Sequence, residues 1–270
     1  MVTIQERTTQ PLDETGIVTV ALITRSVMPK AIILMYHNID NPPNGARIPN
    51  LYVTPRMFRF QMWYLKKAGF SVLSIQDLVS AVASGETQRN MAAITFDDGY
   101  LDFYKNAYPI LKQHGYPSTV FVVSGFAGKE NVWDFANENI KKPLMDWEQL
   151  REINKNGIEI GSHTRTHPEL TRISPDEQNK EIAGSKKDLE ERLNRPLNTF
   201  CYPGGDYNQQ VREAVRNAGY RCAVTTQRGH VEKGNDPLAL RRIPIKLIAD
   251  PFSFLYKVHT NSEKRKGKQR

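Results

Sequence analysis

From residue 31 onward, short apolar runs alternate with amphipathic stretches at helical spacing. Few folds are open to a chain with that rhythm, because parallel strands need a long crossover between them and are covered by the helices those crossovers form. Residues 31–36 (Ala-Ile-Ile-Leu-Met-Tyr) make the first expected strand, which ends at His37. Thr54 and Pro55 then supply a helix cap and a first-turn proline, and Phe58, Met62 and Leu65 recur at helical spacing until Gly69 stops the run. The same reading places strands at 70–73, 91–96, 119–123, 158–160, 200–202, 222–225 and 240–245, and helices at 75–83, 101–113, 146–155, 175–193 and 209–218. The expected class is α/β, a parallel sheet or barrel with helical crossovers.

At 270 residues and 39% hydrophobic side chains, the chain can bury one large core, and α/β barrels commonly use about 250 residues as a single domain. One domain over 31–258 is expected, preceded by a polar, Thr-rich leader (1–30) that is poorly ordered and followed by a basic tail (259–270). Residues 125–144 carry the least pattern, and an insertion there would sit near a site as a lid or groove wall. The formal charge of +8 resembles a nucleic-acid signal until it is located: five basic residues less Glu263 put +4 of it in the last ten positions. A solvated basic tail does not identify a nucleic-acid fold, and no nucleic-acid partner is expected. Cys201 and Cys222 lie in separate strand-like runs and read as small buried hydrophobes, not as a redox dithiol or thiolate metal site. No apolar run is long enough for a membrane span, and residues 16–24 are too short and too poorly flanked by basic residues for a secretory signal.

Two polar clusters stand where apolar runs end. Asp97 and Asp98 follow Ile94-Thr95-Phe96, and His163 and His167 follow Ile158-Glu159-Ile160-Gly161-Ser162. In a parallel barrel, groups at the carboxyl ends of strands converge on one face. One carboxylate and two neutral imidazoles form an O/N/N donor set suited to zinc with positions left for water and substrate, and the second carboxylate can then accept a proton. Each feature has an ordinary explanation on its own: a solvated Asp-Asp-Gly turn, a histidine pair on a helix surface, a core histidine after a strand. Gly161-Ser162 and Pro168 argue against a helix interior around the histidines, and three of the six histidines, including His37, fall at expected strand ends. His114, His230 and His259 read as caps or surface residues. The combination, not any one member, points to a site.

Thr95-Phe96-Asp97-Asp98-Gly99, Ser162-His163-Thr164-Arg165-Thr166-His167 and Tyr202-Pro203-Gly204-Gly205 resemble, in order and spacing, the first three motifs of the polysaccharide deacetylases, also called NodB-homology or carbohydrate esterase family 4 proteins. The resemblance spans about residues 31–258. It implies a distorted, seven-stranded (β/α) barrel holding Zn²⁺ or another divalent ion such as Co²⁺ or Ni²⁺, with Asp97 as general base and Asp98, His163 and His167 as metal ligands. Leu34-Met35-Tyr36-His37-Asn38-Ile39 is similar to the amino-terminal motif of the subgroup that deacetylates poly-β-1,6-N-acetylglucosamine, which implies His37 as the acid that protonates the leaving amine. The rival acid is His259, in Tyr256-Lys257-Val258-His259, which lacks the Leu of the family's Leu-x-His motif. Tyr202, Pro203 and Gly204 are expected to line the substrate groove, with the Tyr202 amide at the oxyanion. Trp147 of Asp146-Trp147 is expected either to contact substrate or to anchor its helix.

The third motif usually carries an arginine that orients the base, and here that position is Cys201. Arg242 is the candidate replacement. The expected function is metal-dependent removal of N-acetyl groups from an acetylated, GlcNAc-containing polysaccharide, β-1,6-linked in the subgroup reading. The same site could serve a small amide, a cyclic imide or an acetyl ester, and a carbohydrate-binding relative without turnover is the non-enzyme alternative. Members of the family usually work outside the cytoplasm, whereas no convincing signal peptide is legible here.

Overall fold

The computed structural model of the protein describes residues 30–85, 89–133, 140–246 and 250–260. The expected leader, apart from Lys30, and the tail beyond Thr260 lie outside the described residues, as do 134–139 of the unpatterned region. Along the chain come β1 (Ala31–Tyr36), α1 (Pro55–Lys67), β2 (Ser71–Val72), α2 (Ile75–Ser84), β3 (Met91–Phe96), α3 (Tyr108–His114), β4 (Ser118–Val122), α4 (Trp147–Lys155), β5 (Ile158–Ser162), α5 (Pro175–Leu193), β6 (Thr199–Cys201), α6 (Gln209–Asn217), β7 (Cys222–Arg228), β8 (Leu240–Pro244) and α7 (Pro251–His259). All paired strands are parallel, in the order β1-β8-β7-β6-β5-β4-β3, and β1 pairs with β3 to close a seven-stranded barrel. Among the described residues, no helix is long and apolar enough to cross a membrane.

The barrel is distorted at two seams. β1 takes one side of β3 along its whole length, while β2 and β4 share the other, β2 at Met91 and Ala92 and β4 at Thr95 and Phe96. β5 and β6 meet through a single pair, Ser162 and Phe200. Strand alternation sorts the core into two layers. Ile32, Leu34, Ile94, Phe96, Val120 and Ile160 face outward against the helices. Ala31, Ile33, Ala93, Phe121, Cys201 and Val224 fill the interior, which Ile75, Leu78 and Val82 of α2 close at the amino end. Both cysteines are free and buried.

Thr54 caps α1 by accepting from the Met57 amide, with Pro55 in the first turn. Capping boxes start α4 at Asp146 with Gln149 and α5 at Ser174 with Glu177. The helix expected over 101–113 is interrupted by a wide π turn at Phe103–Ala107, where the Tyr108 amide donates to the Phe103 carbonyl. Pro109 has no amide for the next helical bond, so the register changes there before α3 continues. Residues 128–131 and 142–145, which carry no periodicity, pair back on each other and on the β3 turn through Glu130 with Pro143 and Tyr100 with Leu144.

Candidate active site

Because β1 and β3 run parallel with Tyr36 opposite Phe96, the residues that follow them, His37 and Asp97, are neighbours, and the Asp97 amide continues the ladder by donating to the Tyr36 carbonyl at 3.0 Å. His163 is placed the same way after β5, its amide donating to Val122 at the end of β4. Asp98 would point away from Asp97 if the strand simply continued. Its left-handed backbone (φ 76°), followed by Gly99 (φ 77°), breaks the alternation so that both carboxylates reach the barrel mouth. Thr164 and His167 also adopt left-handed backbone (φ 67° and 62°), and such strain in non-glycine residues concentrates at functional sites.

Asp98 Oδ1 lies 3.5 Å from His163 Nε2 and 3.6 Å from His167 Nε2, and the imidazole rings meet edge to face at 4.7 Å. One donor atom from each of the three residues lies within 4.8 Å of the others. His163 Nδ1 donates to the Cys201 carbonyl at 2.8 Å, which fixes the tautomer and turns Nε2 toward Asp98. The loop that carries the histidines is strapped to α5: Glu181 accepts from the Arg165 and Thr166 amides, and Arg165 makes a two-pronged pair with Asp188.

Asp97 sits in a different environment. Arg242 on β8 is wholly buried and grips both Asp97 oxygens at 2.7 Å. Its other protons go to the Thr225 carbonyl, the Thr95 hydroxyl and Cys201 Sγ, so all five donors are spent. Burial by itself raises the Asp97 pKa, but the charge and hydrogen bonds of Arg242, aided by His37 and His163, hold it well below the usual carboxylate range. His37 Nε2 stands 3.8 Å from Asp97 Oδ2. A second O/N/S grouping, Asp97 with His163 and Cys201, also lies within metal-ligand spacing. It is the poorer donor set, since Arg242 occupies both oxygens and the sulfur, and burial pushes the Cys201 thiol pKa up, away from the thiolate a metal needs. The Asp98 set has no such competitor and fits a divalent ion of zinc type.

The cluster opens outward between two of its histidines: the side chains of His37 and His167 are 19% and 16% exposed, against 4% for Asp97 and Asp98 and 3% for His163. Beside it, Lys142 donates to Asn38 Oδ1 and Asp102 Oδ2, and Asp102 Oδ1 accepts from the Ile39 amide, so the loop that carries His37 is clamped to the turn after β3. Burial raises the Asp102 pKa despite Lys142.

Not every expected residue joins the cluster. Tyr202 is expected to line the groove, yet its side chain is wholly buried on the outer layer, its hydroxyl donating to the Leu238 carbonyl and its ring stacked on Tyr207. Its amide donates to Val224, so it is already engaged in the barrel. Strand alternation explains the orientation: Cys201 points inward, and the next residue must point outward. Pro203 is buried, whereas Gly204 is exposed in a turn (φ 60°) held against β7 by Thr226. Trp147 packs in the helix layer with its ring under Arg192 of α5. His259 bonds the Tyr64 hydroxyl at 2.6 Å and abuts Phe70, which places it at the amino end of the barrel, opposite the cluster. Trp133, which no periodicity singled out, stacks on His167 at 5.0 Å. Its only signal in the sequence is a large aromatic residue in an otherwise unpatterned insertion.

Comparison with known proteins accords with this geometry. A family model described as polysaccharide deacetylase matches residues 84–223. YxkH of Bacillus subtilis (strain 168) is 31% identical over 217 residues, covering 80% of this chain and 71% of that protein. The poly-beta-1,6-N-acetyl-D-glucosamine N-deacetylase of Staphylococcus aureus is 26% identical over 246 residues, covering 84% of this chain and 82% of the relative. Among solved structures, the Streptococcus pyogenes deacetylase PplD, in complex with acetate, superposes with a TM-score of 0.75 at 30% identity, covering 87% of this chain and all of that one.

Proposed function

This chain belongs to the polysaccharide deacetylases, and from that premise we propose that it hydrolyses N-acetyl groups of a GlcNAc-containing polysaccharide, with poly-β-1,6-N-acetylglucosamine as the polymer. The observation that carries the reading is the division between two adjacent carboxylates. Arg242 keeps Asp97 ionised, while Asp98 faces two imidazole nitrogens. Neighbouring titratable groups in such different surroundings take different roles. In this assignment Asp98, His163 and His167 hold a divalent ion, with Zn²⁺ best matched to the donors and Co²⁺ or Ni²⁺ as substitutes. The ion would supply Lewis acidity to the acetamide carbonyl and to water.

The remaining chemistry belongs to the chain's own side chains. Asp97, ionised at any working pH, orients a water and accepts its proton as the oxygen attacks the acetyl carbon. His37, 3.8 Å from Asp97 at the open side of the cluster, gives its proton to the nitrogen as the C–N bond breaks, because an amide anion cannot leave unprotonated. The products are acetate and a free amine on the polymer. The location of His259 at the other end of the barrel favours His37 as the acid. Arg242 orients Asp97, the task suggested for it by the cysteine at position 201. Support for the β-1,6 linkage is the Staphylococcus aureus relative, which aligns over most of both chains, and support for acetyl chemistry is the acetate held by the Streptococcus pyogenes relative.

The test is acetate release from β-1,6- and β-1,4-linked GlcNAc oligomers by chelated protein and by protein reconstituted with Zn²⁺ or Co²⁺, with Asp97→Asn as control. Metal-dependent release confined to the β-1,6 series is expected. Release from neither oligomer by metal-loaded protein would overturn the assignment in favour of a small amide or ester substrate.

A further inference from the structure

His163 and His167 are oriented by different means. The His163 ring is fixed by its hydrogen bond to the Cys201 carbonyl. The His167 ring faces Asp98 Oδ1 at 3.6 Å, and its further hydrogen bond is only to its own backbone. The terminal torsion of histidine is broad and roughly two-fold, so an imidazole whose other hydrogen bond is only to its own backbone gains from a neighbour on another segment that keeps Nε2 turned inward. Trp133 is one: its ring lies nearly parallel to His167 (22°) at 5.0 Å, and it meets Phe126 edge to face at 5.6 Å. Turning the imidazole out of its plane would drive it into the indole. Among the described residues the buried indole N–H has no hydrogen-bond partner, so there the ring is held by packing and not by its own polar group.

The scaffold behind this contact is firm on both sides. The turn that bears Phe126 is zipped to the histidine loop by the Ser124 amide on the Thr164 carbonyl and the Gly125 amide on the Arg165 carbonyl. A side chain at Gly125 would meet that Arg165 carbonyl oxygen at 2.7 Å. Two residues before Trp133, Asn131 exchanges hydrogen bonds with the Lys142 backbone in both directions and donates to the Tyr100 hydroxyl. Trp133 therefore stands on an arm anchored to the turn after β3 and reaches over to a residue of the loop after β5.

We infer that Trp133 is a positioning residue for the metal site, its indole holding the His167 imidazole in the ligating orientation by stacking. The inference rests on the assignment of His167 as a metal ligand. Loss of an outer partner of a metal-bound histidine typically lowers metal affinity by about 10–100-fold. Zn²⁺ affinity, measured by competition with a chelating dye, is expected to fall by that factor in Trp133→Ala and to stay within about threefold of parental in Trp133→Phe, which keeps a stacking ring. Co²⁺, which quenches indole emission at short range, should quench the parental protein but leave the emission of Trp133→Phe, with only Trp63 and Trp147 remaining, almost unchanged. The quenching comparison stands even where Trp133→Ala fails to fold. Parental protein that binds no Zn²⁺ overturns the ligand assignment itself. Parental protein that binds Zn²⁺ while Trp133→Ala binds it equally well, or that shows no more Co²⁺ quenching than Trp133→Phe, overturns the role of Trp133 and leaves the ligand assignment standing.

Discussion

Replacing Arg242 by methionine tests the least replaceable contact in the site. The guanidinium is fully buried and makes two 2.7 Å bonds to Asp97, itself 3% exposed. Removing one partner of a buried ion pair leaves the other uncompensated, a loss of about 3–5 kcal/mol. At roughly 2–4 °C per kcal/mol for a domain of this size, the melting temperature should fall by on the order of 10 °C. The carboxylate has one escape, which is to take up a proton. With Arg242 gone, the dominant influence on Asp97 is burial, opposed only by His37 and His163, so its pKa moves up. In the parental protein the folded-state pKa lies below the unfolded one, so this group's stabilisation is present at neutral pH and disappears only in strong acid. In Arg242→Met the sign reverses once the folded pKa exceeds the unfolded one, and the variant should be less destabilised at mildly acidic pH than at pH 7. Catalysis should follow the opposite trend, because a protonated Asp97 is no base: a new acid limb should appear in kcat/KM, with activity partly recovered as pH rises. The double variant Arg242→Met/Asp97→Asn removes the orphaned charge and should regain stability without regaining turnover, a coupling visible in a double-mutant cycle. Thermal melts and pH–rate profiles of the four proteins supply the measurements. A single variant within about 1 kcal/mol of parental, with no new acid limb, would refute both the energetic and the catalytic argument.

Three further outcomes follow from the same geometry. His37→Ala should lower kcat/KM by about 10²–10⁴ while Zn²⁺ affinity stays near parental, and near-parental turnover with metal bound would remove His37 from the mechanism. Burial opposes charge on His163, but the Asp98 carboxylate 3.5 Å away raises its pKa, which favours a proton there in the metal-free protein that a ligand must lose. Zn²⁺ binding should release about one proton near neutral pH and weaken as pH falls, and calorimetry in buffers of different ionisation enthalpy would expose a reaction without proton release. Glu159, facing the barrel interior between Thr119 and Thr199, has a pKa raised by burial against the hydrogen bonds it accepts. The folded state then holds more protons than the unfolded one, so parental stability should decline as pH rises through that window, and Glu159→Gln should flatten the decline in melts from pH 4 to 8.

The parts of the fold legible in the sequence are those where a single physical requirement acts alone. β1 and β3 are buried along their whole length, so six consecutive apolar or small residues mark each, and the parallel register then puts His37 beside Asp97 without further information. The caps at Thr54, Asp146 and Ser174 are equally local. What escaped was set by competition or by distance. The π turn before Pro109 looks helical because its apolar spacing is helical, and only the missing amide changes the hydrogen-bond register. Tyr202 opens a motif that suggests a groove, yet a strand of three residues with Cys201 turned inward leaves its side chain no way but out. Lys142 and Trp133 lie in a stretch with no period, and their partners, Asp102 and His167, are fixed by tertiary contacts that no local pattern encodes.

Arg242 shows why a missing motif residue need not mean a missing function. A carboxylate kept ionised while buried at a barrel mouth needs a two-pronged cation within reach, and the interior of a closed barrel brings inward-facing side chains near that point. Position 201 on β6 is one such place, and Arg242, turned inward in the middle of β8, a strand paired with β1, is another. The two positions cannot both carry arginine, since the guanidinium of Arg242 lies 3.4 Å from Cys201 Sγ in a fully packed interior. A small side chain at 201 is therefore the condition for the fork to enter from β8. The sulfur also accepts one of the guanidinium protons, which leaves none of the five unpaired. The cysteine that breaks the motif and the arginine that answers it are one solution to one requirement: a carboxylate that stays charged where burial would otherwise neutralise it.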